Sequence, residues 1–116
     1  MRMIQAKFVE VGGVRIHSLQ AGEGAETILL LHGGGVDGAE LSWKLTIPVL
    51  AERYRVVAPD WPDYGKSGDM PGGMTQQQMI KFVVQFMDEV GIQQAHLVGL
   101  SMGGGAALGF TLGYPE

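Results

Sequence analysis

One serine near the C-terminal end of the chain lies between two glycines. The pattern is Gly99-Leu100-Ser101-Met102-Gly103, which follows an apolar stretch and precedes a segment of small residues. It is typical of a sharp strand-to-helix turn that exposes a serine hydroxyl at the top of a sheet. Both glycines are needed because side chains there would collide where the helix folds back beside the strand. The helix N-terminus favours negative charge beside the serine. The pattern predicts Ser101 as a nucleophile, supported by Gly99 and Gly103.

A second motif, His32-Gly33-Gly34-Gly35, directly follows another apolar run. A nucleophilic serine needs N–H donors aimed at the oxygen that becomes negative in the tetrahedral intermediate. We expect the backbone N–H of Met102 to be one donor and that of Gly34 or Gly35 to be the other. If the strands before the two motifs are parallel, both motifs lie at the same edge of the sheet. The sequence thus predicts an oxyanion hole next to the serine.

Hydrophobic patterning places both motifs in an alternation of strands and helices. Two short strands flank a two-glycine hairpin turn, and the polar alternation in the second predicts a half-exposed edge strand with His17 on the surface. Two continuous apolar runs predict parallel strands that are covered on both faces. This succession predicts an α/β fold with a mostly parallel sheet and right-handed crossovers. The predicted strands are 8–11, 14–20, 27–31, 55–60 and 95–100, and the helices are 39–52, 75–90 and one that follows Ser101.

Two of these helices carry signals for where they begin, bend or end. The helix at 39–52 must bend or break at Pro48. The helix at 75–90 begins at a capping box formed by Thr75 and Gln78, and Gly91 ends it. Residues expected near one face of the first helix are Leu41, Leu45, Val49 and Leu50.

Composition indicates one domain spanning residues 1–116. Hydrophobic residues make up 46%, which is enough for a core. The net charge of −4 argues against a nucleic-acid surface. The chain has no cysteine and no apolar leader after its N-terminus, so we expect a cytoplasmic protein. An uncharged stretch near the C-terminus contains many glycines, so we expect a buried strand and helix there and no membrane span. We expect a small-molecule substrate, no cofactor and no metal site.

One alternative reading of the glycine loop is a dinucleotide site. Gly33, Gly35 and Gly38 satisfy the G-x-G-x-x-G pattern, and Asp60 ends the next strand, where a ribose-binding acid would lie in a Rossmann-like module. Three features oppose it: His32 separates the strand from the first glycine, a hairpin precedes the strand, and the Ser101 motif is left without a role.

In its motifs and their order the chain resembles the N-terminal part of an α/β-hydrolase. The matching segments are the opening hairpin, 29–35, 57–60 with 64–68, and 97–104. The resemblance implies a strand order of 1-2-4-3-5 with an antiparallel first pair, and it implies that His32 holds the oxyanion loop. The Ser-Met-Gly-Gly form is similar to small carboxylesterases, proline iminopeptidase-type peptidases and C–C bond hydrolases. Asp63 stands where the family more often has glycine.

The family's order of nucleophile, acid and histidine cannot be completed within this chain. His96 is five residues before Ser101, about 16 Å away along one strand. Asp60 is expected to organise a loop. We therefore expect a truncated, inactive hydrolase that needs either the C-terminal half of the fold or self-association along the strand edge at Ala95–Leu100. A non-catalytic interaction fragment is the remaining alternative.

Overall fold

The chain forms one five-stranded mixed sheet in the order β1-β2-β4-β3-β5, in a computed structural model that describes residues 4–115. The first pair is an antiparallel hairpin, β2 is antiparallel to β4, and β3 is parallel to both β4 and β5. The predicted α/β class and strand order are confirmed. The strands are β1 (Gln5–Val11), β2 (Val14–Ala21), β3 (Thr27–Leu31), β4 (Arg55–Pro59) and β5 (His96–Gly99).

Helices cover both faces of the sheet. Successive side chains of a strand point to opposite faces, so β3 contributes Leu29 and Leu31 to one core cluster and Ile28 and Leu30 to the other. The first cluster packs under α3 and α4, and the second packs under α1 and α2. The helices are α1 (Ala39–Trp43), α2 (Ile47–Leu50), α3 (Gln76–Val90) and α4 (Met102–Gly113). The two buried strands that the apolar runs predict are therefore confirmed.

The region predicted as one helix at 39–52 is two short helices. Pro48 lies in the first turn of α2, where its missing N–H costs nothing, so the predicted break is confirmed. The prediction of a shared apolar face was wrong, because the turn between the helices destroys the periodicity. Leu41, Leu45 and Val49 are exposed, whereas the buried residues of this region are Ala39, Ile47 and Ala51.

The prediction that β2 is a half-exposed edge strand with His17 on the surface was wrong. On this side of the sheet the outer strand is β1, and His17 is only 3% exposed. The Phe8 ring lies over the His17 ring, with 5.2 Å between centroids. The loop after β4 also folds back onto β2, where the His17 N–H donates to Ser67 Oγ (2.9 Å). Residues distant in sequence bury His17, so the alternation of polar and apolar residues within β2 could not predict its burial.

Helix α3 begins and ends as predicted. Thr75 Oγ1 accepts from the Gln78 N–H (3.1 Å), and Gln78 Oε1 accepts from the Thr75 N–H (2.7 Å). Gly91 ends the helix in the left-handed conformation, with φ of 75°. No helix among residues 4–115 has the length and hydropathy needed to cross a membrane.

The outer side of β5 is open within the described residues. This strand pairs with β3 alone, and Val98 and Leu100 are 42% and 49% exposed. Leu108 and Leu112 of the adjacent α4 are exposed as well. An unpaired, largely apolar strand edge therefore lies directly beside the Ser101 turn.

Candidate active site

Ser101 occupies a strained turn between β5 and α4. Its φ of 54° and ψ of −112° are rare for a residue with a side chain. The Leu100 N–H ties the end of β5 to the Leu31 carbonyl (3.0 Å), and the Gly103 N–H closes the turn on the Leu100 carbonyl (2.9 Å). The Ser101 side chain is exposed and forms no hydrogen bond with any residue of 4–115. The turn therefore presents a free hydroxyl at the N-terminus of a 12-residue helix.

Gly99 and Gly103 lie where backbone touches backbone. A side chain at Gly99 would collide with the Gly103 carbonyl, and one at Gly103 would collide with the carbonyls of Leu31 and His32. Gly105, two residues further along α4, is different: a Cβ there would meet only the Gln76 side chain, at 3.8 Å. The close approach places the first turn of α4 against the end of β3.

The structure brings the glycine loop onto the serine turn. A Cβ built on Gly33 would lie 3.5 Å from Ser101 Cβ, and one built on Gly34 would lie 3.3 Å from Met102 Sδ. Gly35 has φ of 73°, which favours glycine. Within residues 4–115 the N–H groups of Gly34, Gly35 and Met102 donate to no acceptor. Three unpaired backbone donors thus lie in the glycine loop and at the residue that follows Ser101.

His32 is fully buried and its two ring nitrogens are both occupied. Nδ1 lies 2.7 Å from the Gly33 carbonyl oxygen, and Nε2 lies 3.1 Å from the Trp61 backbone N. Because a carbonyl only accepts and an amide N–H only donates, Nδ1 carries the proton and Nε2 does not. The Trp61 indole N–H also donates to the His32 carbonyl (2.9 Å). His32 therefore links the glycine loop to the end of β4 and has no free nitrogen for proton transfer.

Neither of the other two histidines is in position to serve Ser101. His17 Nδ1 lies 2.7 Å from Asp60 Oδ2, on a strand three places from β5, which is roughly 14 Å at the usual strand spacing. His96 begins β5, at the opposite end from the serine, and it pairs with Glu26 at 2.9 Å.

Asp37 is a site residue that the sequence did not single out. Its Oδ2 accepts from the Gly33 N–H (2.8 Å), its Oδ1 from the Gly38 N–H (2.7 Å), and both oxygens contact Ser42 Oγ (2.6 and 2.8 Å). Burial acts to raise the pKa of Asp37, but the hydrogen bonds from Ser42, Gly38 and Gly33 outweigh it and lower the pKa below the ordinary 3.8. An aspartate before a short helix is the only local signal that could have revealed it.

Asp37 also argues against the dinucleotide alternative. In that reading, a diphosphate would bind the N–H groups around Gly33, Gly35 and Gly38 at a helix N-terminus. Here the carboxylate already takes the N–H groups of Gly33 and Gly38, and its negative charge would repel phosphate. Asp60, the supposed ribose ligand, is 2% exposed and accepts from the N–H groups of Ala39 (2.7 Å) and Lys66 (2.9 Å).

A cavity of about 360 Å³ begins at the oxyanion-hole candidates Gly35 and Met102. Its walls are largely aromatic and thioether side chains, and Asp63 stands at its rim with φ of 76°. That backbone conformation explains why glycine is the commoner residue at the position. The remaining lining residues are Trp61, Pro62, Tyr64, Gly73, Met74 and Met79.

A serine on a strained turn from a parallel strand to a helix, next to a glycine loop, is the arrangement of the G-x-S-x-G motif in α/β-hydrolases. A sequence profile described as "alpha/beta hydrolase fold" matches residues 26–116. The chain belongs to the α/β-hydrolase fold family.

Named relatives of this family are similar over nearly the whole chain. A 2-hydroxy-6-oxo-6-phenylhexa-2,4-dienoate hydrolase of Burkholderia cepacia is 40% identical, over 96% of this chain and 41% of its own length. The dihydrolipoyllysine-residue acetyltransferase component of the acetoin cleaving system of Cupriavidus necator is 44% identical, over 95% of this chain and 29% of its own length. A solved 2-hydroxy-6-oxo-6-phenylhexa-2,4-dienoate hydrolase of Rhodococcus has a TM-score of 0.88 at 32% identity, over 100% of this chain and 44% of its own. The chain therefore spans less than half the length of each.

The close backbone approach at Gly103 can be tested by adding one methyl group. We expect Gly103→Ala to lower the free energy of unfolding by about 1–3 kcal/mol or more, because the Cβ would collide with backbone. Gly105→Ala is the control and should be neutral or stabilising by up to about 1 kcal/mol, since alanine favours a helix interior. Urea denaturation followed by circular dichroism measures both. Equal stabilities of the two variants would contradict the packing described.

Proposed function

We propose that the whole protein is a serine hydrolase that attacks a carbonyl carbon of its substrate with Ser101. The observation that supports this most directly is the exposed Ser101 hydroxyl on a strained turn, together with unpaired backbone N–H groups at Met102 and in the adjoining glycine loop. Strained backbone angles and unpaired backbone donors are concentrated at functional sites of proteins. The hydrolase names of several relatives agree with this chemistry.

The proposed first step is addition of Ser101 Oγ to the substrate carbonyl. The hydroxyl proton passes to a general base, and the carbonyl oxygen becomes negative. The N–H groups of Met102 and of Gly34 or Gly35 then donate to this oxygen, so that they stabilise the transition state more than the ground state. Collapse of the intermediate expels the leaving group, which takes up the proton, and water releases the acyl group from the serine.

The general base is not among the histidines at positions 17, 32 and 96. His32 has both nitrogens occupied, and the other two lie far from the serine. Serine is a weak nucleophile without an adjacent base. We therefore propose that the base and its orienting acid come from a part of the whole protein outside this chain.

The substrate proposed is a small molecule with an apolar group next to the reacting carbonyl. The cavity that begins at Gly35 and Met102 has aromatic and thioether walls, which suit such a group. The dienoate relatives are named for substrates with a 6-oxo group, and one of these carries a phenyl group on the same carbon. Hydrolysis at a ketone carbon must break a C–C bond, so C–C bond hydrolysis is preferred here over ester or amide hydrolysis.

We further propose that another strand covers the outer side of β5. The relatives are more than twice as long as this chain, so the rest of the whole protein is the proposed source of that strand. Pairing would satisfy the open N–H and C=O groups and bury the exposed apolar side chains of β5 and α4.

The role of Ser101 can be tested in the full-length protein. Ser101→Ala should lower kcat by about 10⁶, because loss of the nucleophile hydroxyl leaves only binding and oxyanion stabilisation. Turnover of a 2-hydroxy-6-oxodienoate and of a p-nitrophenyl ester should be measured side by side. Substantial activity in this variant would remove Ser101 from the mechanism, and no activity in the unaltered protein would favour an interaction fragment.

A bulky residue at Gly34 should damage the oxyanion hole. Gly34→Val would press on Met102 Sδ and the Tyr64 hydroxyl, which lie 3.3 and 3.6 Å from a Cβ built there. We expect kcat to fall by about 10² to 10³, the usual effect of losing one oxyanion donor. Gly113→Val is the matched control, since a Cβ there meets no atom of residues 4–115 within 4 Å. Equal rates in the two variants would show that the loop conformation does not matter.

The open edge of β5 predicts the behaviour of residues 1–116 expressed alone. We expect this chain to self-associate and to leave p-nitrophenyl esters intact, since its edge is unpaired and Ser101 lacks a base. Size-exclusion chromatography with light scattering measures the first property. Val98→Lys places a charge on the edge strand and should shift the chain toward monomer. A monomer that hydrolyses the ester through Ser101 would refute both expectations.

A further inference from the structure

Asp37 binds both ends of the glycine loop, which lies beside Ser101. Its carboxylate holds the Gly33 N–H at the start of the loop, and it holds the Gly38 N–H and Ser42 Oγ at the end. The loop between these points carries the two glycines whose N–H groups are unpaired. The span of the loop is thus set by one side chain, which is only 11% exposed.

Both backbone polar groups of Gly33 form hydrogen bonds with side chains. The N–H of Gly33 donates to Asp37, and its carbonyl oxygen accepts from His32 Nδ1. With these two groups occupied, Gly33 cannot supply an oxyanion donor. The Gly34 N–H belongs to the same trans peptide group as the Gly33 carbonyl, so it points away from the His32 ring. Gly34 itself lies next to Met102, since a Cβ built on Gly34 would be 3.3 Å from Met102 Sδ.

We propose that Asp37 is a positioning residue of the oxyanion hole, which holds the 33–38 loop so that the Gly34 and Gly35 N–H groups stay unpaired next to Ser101. This inference rests on the proposed function. Two of the three donors, the Gly38 N–H and the Ser42 hydroxyl, belong to the start of α1, and a role confined to that helix does not account for the third donor, the Gly33 N–H. The hydrogen bond to Gly33 runs away from the helix, toward the serine.

The chemistry of the carboxylate explains why aspartate suits this position. Its two oxygens accept from three donors at once, which no amide side chain can do without turning an NH₂ group toward a donor. Gly33 and Gly38 both present N–H groups, so an asparagine would keep one of these bonds and lose the other. The lowered pKa of Asp37 agrees with a carboxylate that stays ionised over the working pH range.

The test compares Asp37→Ala, Asp37→Asn and Ser101→Ala in the full-length protein. We expect Asp37→Ala to lower kcat by about 10² to 10³ while KM changes less than about threefold, because the loop acts on the transition state. Affinity for a phosphonate transition-state analogue should fall by the same factor as kcat/KM, and Asp37→Asn should restore part of the loss. The control is Asp88→Asn, which alters an exposed aspartate on α3.

The outcomes separate this inference from the proposed function. An active Ser101→Ala protein would overturn the proposed function itself. An inactive Ser101→Ala protein beside an Asp37→Ala protein of unchanged kcat and analogue affinity would overturn the role of Asp37 alone. If Asp37→Ala does not fold, Asp37→Asn decides by the same two measurements. Amide hydrogen exchange gives a readout that does not depend on catalysis. In Asp37→Asn exchange should quicken at Gly33 or at Gly38, whichever N–H loses its acceptor, and unchanged exchange at both together with an unchanged rate would refute the positioning role.

Discussion

The site depends on one backbone passing against another with no side chain between them. Gly103 brings the first turn of α4 onto the carbonyl groups at the end of β3, and Gly99 lets the helix fold back beside its own strand. Ser101, which lies between these two glycines, has a positive φ of 54° and an exposed side chain. The backbone contact also fixes the distance between the serine turn and the glycine loop, because that loop is the direct continuation of β3.

Backbone N–H groups donate hydrogen bonds to two aspartates around this contact. Asp37 and Asp60 both lie at the edge of the sheet that carries Ser101, and both accept mainly from main-chain donors. Charge-assisted bonds of this kind are among the stronger hydrogen bonds in proteins. The His17 ring also forms a hydrogen bond with Asp60, and this bond joins the first hairpin to the same network. The edge is therefore held by polar contacts, while the apolar clusters hold the two faces.

The fold and the site differ in how far local patterns could predict them. Apolar runs and the glycine hairpin predicted the sheet, since a strand covered on both faces has a local signature, and Thr75 and Gly91 marked α3 in the same way. The burial of His17 could not be predicted, because it results from a loop that returns from fifty residues away. The prediction that Leu41 and Val49 share a buried helix face was wrong, because the turn between the two short helices shifts the helical periodicity. Asp37 was missed since its role arises only when the loop closes on Gly33.

The indole of Trp61 gives the loop an optical reporter. This ring is 2% exposed, donates to the His32 carbonyl and lies 6.4 Å from the imidazole, centroid to centroid. Residues 1–116 contain two tryptophans, so replacing Trp43 by phenylalanine would leave Trp61 as the single indole of this part of the protein. A shift of the loop would change the hydrogen bonding and polarity around that indole, and its emission would register loop movement on the timescale of ligand binding, without a label or a substrate.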